Sequence, residues 1–250
     1  MSNPLGSSLS LLVIFGPQLL ALTEDGRHLF AWVTQSCGEH SISRPQKYAE
    51  QPTTELVSTI AFDPGFTATC FLHPATYLNK ILVGSSQGSL QLWNIRTQSC
   101  IHQFSSSTLQ STATDSPSPI TALVQSPAID VVGVGFASGE IAVYDIRADE
   151  RLLRIFMEGG AIRALGFRSG NIFKSILVQS LSDSHVYSDN HAVLASASST
   201  GHIALWDLNH KGRLLHIVRG AHDGAVTALE WIPGQPVLVS SGEDNSVKVC

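Results

Sequence analysis

An all-β chain built from a repeated four-stranded unit is the fold class this sequence predicts, on three observations: a recurring strand motif, a turn residue at a fixed offset before it, and short apolar runs around both. The motif reads GSLQLWNI at 88–95, GEIAVYDI at 139–146, GHIALWDL at 201–208 and NSVKVC at 245–250. Within it, apolar residues alternate as Leu90 and Leu92, Ile141 and Val143, Ile203 and Leu205, Val247 and Val249. That is the two-residue period of a strand. Each segment opens on Gly88, Gly139, Gly201 or Asn245, residue types that accept positive φ, so each opening marks a tight hairpin turn.

The second element is an aromatic slot filled by Trp93, Tyr144 and Trp206, followed by Asn94, Asp145 and Asp207. Apolar runs precede each motif at Ile81–Val83, Val131–Val132, Val193–Ala195 and Val237–Val239. Further runs at Ile120–Val124, Arg151–Phe156, Ala164–Phe167 and Leu214–Val218 complete four strands per unit. A fifth, weaker unit opens the chain at QLLALTEDGRHLFAW, where Gly26 stands one residue further from Trp32 than the pattern asks. A one-residue bulge is the expected remedy. Gly201 and Asn245 are separated by one WD repeat of roughly 40 to 45 residues. The longer spacings contain insertions at 105–119, rich in Ser, Thr and Pro, and at 171–191. Sheets that cannot bury both faces alone must stack side by side around an axis, which is a WD-repeat β-propeller. A two-layer sandwich would not repeat Gly, alternating pair and aromatic at one offset.

The last unit carries the WD pattern most fully, with His222, Trp231, Pro233, Ser240 and Asp244 in order. The resemblance to WD repeats places His222, Ser240 and Asp244 in the hydrogen-bonded network that ties such a blade together, where buried polar groups must be paired. The Asp slot holds Gln87, Ser138 and Thr200 elsewhere, so packing is expected to replace the network there. Cys250 stands at the last aromatic slot. About five blades, the last without its outer strand, fall short of the roughly 300 residues of a seven-bladed ring. The propeller is therefore read as incomplete over 1–250, and its unpaired edges predict aggregation of the isolated chain.

The bulk numbers agree. At 250 residues, 43% hydrophobic and 14% charged, the chain can bury a large core. A net charge of −5 gives no overall attraction to phosphate. Cys37, Cys70, Cys100 and Cys250 form no CxxC pair, which points away from zinc and disulfides and toward a reducing compartment. The apolar stretch Leu9–Leu22 lacks preceding Lys or Arg and is divided by Gly16-Pro17, so it is not read as a signal peptide or a membrane span.

Beyond the generic repeat, the stretch from His73 to Arg96 resembles the WD-repeat subunit of the eukaryotic small-subunit processome, the particle built around U3 small nucleolar RNA. The segments Pro127–Arg147, Gly201–Asn209, Arg219–Ile232 and Pro236–Val249 continue the resemblance across most of 17–249. That family has two joined propellers and a helical C-terminal domain. The resemblance implies part of the first propeller, beginning after its opening blade and stopping inside another, and the 171–191 insertion is outside the family pattern. It also implies a non-catalytic scaffold in the nucleolus of the nucleus, supporting pre-18S rRNA processing and small-subunit assembly. Its partners would be other processome proteins, with pre-rRNA or U3 RNA as further candidates. The competing reading is a WD-repeat adaptor of another complex, such as a ubiquitin-ligase receptor or trafficking module.

Sites for chemistry are few. GVGFASG at 133–139 has its third glycine one position late for a dinucleotide fingerprint and leads into a strand. The sequence has no Gly-Lys-Ser/Thr phosphate loop and no His-Glu-x-x-His, and no cofactor, metal, small-molecule substrate or catalytic residue is expected. His222 and Asp244 fit their blade positions better than a catalytic triad. Arg147, Arg151, Arg154, Arg163, Arg168 and Lys174 crowd one stretch and form a candidate RNA or partner patch, against the plainer reading of solvated strand edges. Ser116-Pro117 and Ser118-Pro119 are candidate proline-directed phosphorylation sites.

Overall fold

The computed structural model describes residues 8–15, 18–35, 53–74, 79–104, 117–128, 130–168 and 192–249. Among them every regular element is a strand, and the strands form four four-stranded antiparallel sheets and one three-stranded sheet. Blade 1 comprises β1 (Leu9–Phe15), β2 (Gln18–Thr23), β3 (His28–Gln35) and β4 (Thr53–Ala61). Blade 2 comprises β5 (Ala68–Leu72), β6 (Lys80–Ser85), β7 (Leu90–Asn94) and β8 (Ser99–Gln103). Blade 3 runs through β9 (Ile120–Gln125), β10 (Val131–Phe136), β11 (Glu140–Asp145) and β12 (Glu150–Phe156). Blade 4 runs through β13 (Ile162–Phe167), β14 (Val193–Ser198), β15 (Ile203–Asp207) and β16 (Arg213–Val218). Blade 5 holds β17 (Val226–Trp231), β18 (Leu238–Gly242) and β19 (Val247–Val249).

The apolar stretch at the start is a hairpin, with Phe15 opposite Gln18 and Val13 opposite Leu20. At the turn before each third strand, the N–H of Gly26, Gly88, Gly139, Gly201 or Asn245 donates to the carbonyl three residues back. Four of these residues are glycines at positive φ, and Asn245 adopts φ 59°. The turn glycine also makes room for the neighbouring sheet: a Cβ on Gly201 would stand 2.0 Å from the His222 carbonyl oxygen. Blade 1 corrects the expected bulge. The β2–β3 register runs unbroken from Gln18↔Val33 to Leu22↔Leu29. Arg27 instead lengthens the turn, where Thr23 Oγ1 accepts from the His28 N–H and the Asp25 carboxylate accepts from the Arg27 N–H.

Bulges lie elsewhere and recur. Each outer strand carries one opposite the aromatic slot, between Ala31 and Trp32, Leu92 and Trp93, Val143 and Tyr144, and Leu205 and Trp206. Each inner strand from blade 2 onward carries another, which sets Thr69, Thr121, Arg163 and Thr227 out of the ladder. Two of these use the freedom to stitch sheets together. Thr69 Oγ1 donates to the Ile120 carbonyl at 2.6 Å, and Thr121 Oγ1 to the Ile162 carbonyl at 2.5 Å.

Because alternate side chains leave opposite faces of each sheet, the core is a series of layers between blades. One layer joins Leu20, Leu29 and Ile60 to Phe71, Ile81 and Trp93; the next joins Leu82 and Leu90 to Ile120, Val134 and Tyr144. A third joins Ile141, Ile155 and Met157 to Ile162, Leu194 and Trp206, and a fourth joins Ala195, Ala197 and Ile203 to Val226, Leu229 and Trp231. Close approach is set by a small residue facing a β-branched one. A Cβ on Gly84 would lie 2.7 Å from Ile120 Cγ2, and one on Gly135 would lie 2.5 Å from Ile162 Cγ2.

Candidate functional site

The most connected polar cluster lies in blade 5. His222, carried by the segment between blades 4 and 5, is 2% exposed, and Ser240 on β18 is 1% exposed. His222 Nε2 pairs with Ser240 Oγ at 2.8 Å, and its Nδ1 pairs with Asp244 Oδ1 at 3.0 Å. Asp244 also accepts from the Asp223 N–H, from the Ser246 N–H, and from the Ser246 hydroxyl at 2.7 Å. The Ser246 hydroxyl, then His222, hold the Asp244 carboxyl well below its ordinary value, because both bonds favour the charged form. Lys248 Nζ donates to the Ala221 carbonyl and lies 3.8 Å from Asp244.

Ser240, His222 and Asp244 are joined in the order of a hydrolytic triad, yet the hydroxyl is sealed between sheets where no acyl group can reach it. The cluster joins the segment before β17 to the turn after β18.

The other blades solve the same problem differently. In blade 4 part of the polar chain survives: Trp206 Nε1 donates to Ser196 Oγ at 2.8 Å, and Ser196 Oγ donates to Met157 Sδ at 3.1 Å. Sequence reasoning expected packing alone there, because the Asp slot holds Thr200; the serine had kept its indole partner and found a thioether. In blades 2 and 3 the chain is apolar. Phe62 meets Trp93 edge-on at 5.3 Å, and Phe104 meets Tyr144 edge-on at 5.8 Å, with Val83 and Val134 at the serine position. Trp93 Nε1 is satisfied by Gln91 Oε1 at 2.9 Å, and the Tyr144 hydroxyl by Asp149. Phe62, Phe104 and Met157 sit in connecting segments, where strand periodicity leaves no mark.

The residue after each aromatic shapes the outer hairpin. Asn94 Oδ1 accepts from the Arg96 and Thr97 N–H groups, and Asp145 Oδ1 from those of Arg147 and Ala148. Asp207, fully buried, accepts from the Asn209 N–H and pairs with His210 at 2.7 Å, with Arg213 at 3.8 Å.

Of the six cations that crowd the sequence, the five described ones are spread across two blades. Arg147 is exposed at the tip of the β11–β12 turn. Arg151 and Arg154, on the outer strand β12, share the buried carboxylate of Glu140 at 3.8 and 3.0 Å. Arg163 is an exposed bulge residue on the inner strand β13, and Arg168 lies over the Trp231 ring at 6.0 Å. Lys174 lies outside the described residues, as do Ser116, Cys37, Cys250 and the 171–191 insertion. Among the described residues no group of three or more His, Cys, Asp or Glu side chains is arranged to hold a metal ion. Burial pushes the Cys70 thiol up to about 12, so it stays protonated.

Successive antiparallel sheets packed inner strand beside inner strand, the last of them carrying a His–Ser–Asp network, define a WD-repeat β-propeller. The chain belongs to the WDR36/Utp21 first β-propeller family, whose model matches residues 1–250. It is 35% identical over 203 residues to human WD repeat-containing protein 36, covering 81% of this chain and 19% of the relative. It is 32% identical to the U3 small nucleolar RNA-associated protein 21 homolog of Schizosaccharomyces pombe, over 94% of this chain and 21% of that one. The Saccharomyces cerevisiae U3 small nucleolar RNA-associated protein 21 is 29% identical over 95% of this chain and 21% of its own length. The chain thus spans about a fifth of these relatives. Among solved structures, the computationally designed Ika8 protein superposes with a TM-score of 0.59 at 21% identity, over 97% of this chain and 58% of that one. The RRP9 WD40 repeats superpose with a TM-score of 0.56 at 17% identity, over 75% and 49%. These two likenesses concern the fold.

Proposed function

We propose that this chain is a non-catalytic scaffold of the small-subunit processome, acting in the nucleolus in pre-18S rRNA processing and small-subunit assembly. The observation that carries this reading is the match of the whole chain to a family whose relatives are named for association with U3 small nucleolar RNA. The physical character of the molecule supports it. Its most elaborate polar cluster is spent on holding two segments of a blade together, and rigid strands leave turns on both rims to carry recognition.

Other processome proteins are the proposed partners, with direct contact to pre-rRNA or U3 RNA a second element of the proposal. Among the described cations, Arg147, exposed at a turn tip, is well placed to meet phosphate, whereas Arg151 and Arg154 are engaged by Glu140 and Arg168 by Trp231. Affinity purification of the tagged chain from its own cells tests the scaffold reading. Co-recovery of U3 RNA with nucleolar assembly factors is expected, and recovery of a ubiquitin ligase or trafficking complex without U3 RNA would overturn it. Arg147→Glu, measured by crosslinking to RNA within the recovered particle, tests the contact; undiminished crosslinking removes it.

A further inference from the structure

In every blade from 2 onward, the turn before the third strand is tied to the segment entering the first strand. The backbone part of the tie is constant: the N–H groups of Ser86, Ala137, Ser199 and Glu243 donate to the carbonyls of Thr67, Pro119, Ala161 and Ala225. The side-chain part varies. In blade 5 the Asp244 carboxylate on the turn accepts from the Asp223 N–H of the entering segment at 3.1 Å. In blade 2 Gln87 Oε1 accepts from the Thr67 N–H at 3.0 Å. In blade 4 Thr200 Oγ1 donates to the Gly159 carbonyl at 2.6 Å.

Blade 3 shares the direction of blade 4 but uses a neutral hydroxyl as the acceptor. Here the turn supplies the donor, the Ser138 N–H, and the entering segment supplies the acceptor, Ser118 Oγ, at 2.9 Å. Ser138 also brings a hydroxyl to the same place, where its Oγ accepts from the Glu140 N–H at 3.4 Å. The accepting oxygen thus belongs to a serine followed by Pro119, half-exposed and next to the exposed Pro117. Reaching that hydroxyl requires release of bonds that include Ser138 N–H to Ser118 Oγ and Ala137 N–H to the Pro119 carbonyl, while Ile120, fully buried, keeps β9 in place.

We propose that Ser118 is a phosphorylation site for a proline-directed kinase, and that its phosphate serves in blade 3 as the anionic acceptor that Asp244 provides in blade 5. In the transfer, Ser118 Oγ bonds to the γ-phosphorus of ATP, the bond to the departing diphosphate breaks, and the hydroxyl proton passes to the kinase's base. The product carries about −1.5 to −2 charges and three strong acceptor oxygens. These oxygens face the Ser138 N–H and hydroxyl, so a neutral bond becomes a charge-assisted one. The nearby Glu140 carboxylate is held by Arg151 and Arg154, which limits its repulsion. Modification therefore tightens the entry to blade 3.

The test has two parts. Mass spectrometry of the chain isolated from growing and division-arrested cells, with fragmentation that separates Ser116 from Ser118, is expected to find phosphate on Ser118; phosphate on Ser116 alone, or on neither, overturns the site. The chain treated with a proline-directed kinase and ATP is then compared with the untreated chain and with Ser118→Ala by amide hydrogen exchange. The Ser138 amide is expected to exchange roughly tenfold more slowly when phosphorylated, the gain of a charge-assisted over a neutral bond. Unchanged or faster exchange at Ser138 overturns the capping role.

Discussion

Blades 3 and 5 pack on their preceding neighbours with opposite chemistry. Where blade 5 places His222 against Ser240 in a polar chain, blade 3 places Phe104 edge-on to Tyr144 over Val134. Neither solution leaves a half-measure: the blade 5 serine and histidine are bonded, and the blade 3 counterparts present no polar atom in that row. A buried polar group is tolerable only when its partner is kept, whereas exchanging both partners for apolar ones of similar shape is nearly neutral. Coordinated exchange is therefore the lesson, and a single change in either blade should be worse than a pair.

The largest effect is expected where the apolar solution is emptied. Phe104→Ala removes a side chain that is 2% exposed and should cost about 3 to 5 kcal/mol, read as a drop in the chemical-denaturation midpoint. Next, His222→Phe alone strands the Ser240 hydroxyl and should cost about 1 to 3 kcal/mol. Adding Ser240→Val should recover part of that loss. A double-mutant cycle with no coupling between the two would break the comparison.

The converse graft, Val134→Ser, places an unpartnered hydroxyl beside Phe104 and should cost about 1 to 3 kcal/mol, measured in the same way. Gly135→Ala forces a methyl against Ile162 and should cost about 1 to 3 kcal/mol, sharpening the comparison by testing a spacing that blade 3 needs independently of its polar groups. The smallest effect is acid sensitivity. The Asp244 carboxyl, held below 3.8 by Ser246 and His222, adds stability that is present at neutral pH and lost as pH falls through its folded value. Thermal unfolding of the native chain should weaken below that range more than that of Asp244→Asn; parallel curves would show that the bonds do not favour the charged form.

Blades 4 and 5 offer a second contrast. Ile203 of β15 is 3% exposed beneath blade 5, while Val247, its counterpart on β19, is 70% exposed, as is Val249. All three belong to the alternating apolar positions, and Ile203 is the one with a following sheet packed over it. The repeat, its turn residues and the three-stranded last sheet were legible because strand period and φ preference act on neighbouring residues. The extra residue in blade 1 was visible but misplaced: spacing cannot separate a bulge from a longer turn, and the Thr23 and Asp25 bonds chose the turn. The cationic run was visible too, yet adjacent strands of a propeller point to inner and outer edges, so Arg163 and Arg154 diverge.

By itself the sequence determined the unit: which residues alternate, where the hairpins turn and which blade carries His222, Ser240 and Asp244, all properties of short stretches of chain. Tertiary structure alone decided that Phe62 and Met157 stand where blade 5 has its histidine, and that Glu140 draws in two arginines. Both outcomes depend on what the neighbouring strand or sheet brings to within a few ångströms, and such contacts leave no periodic trace in the chain.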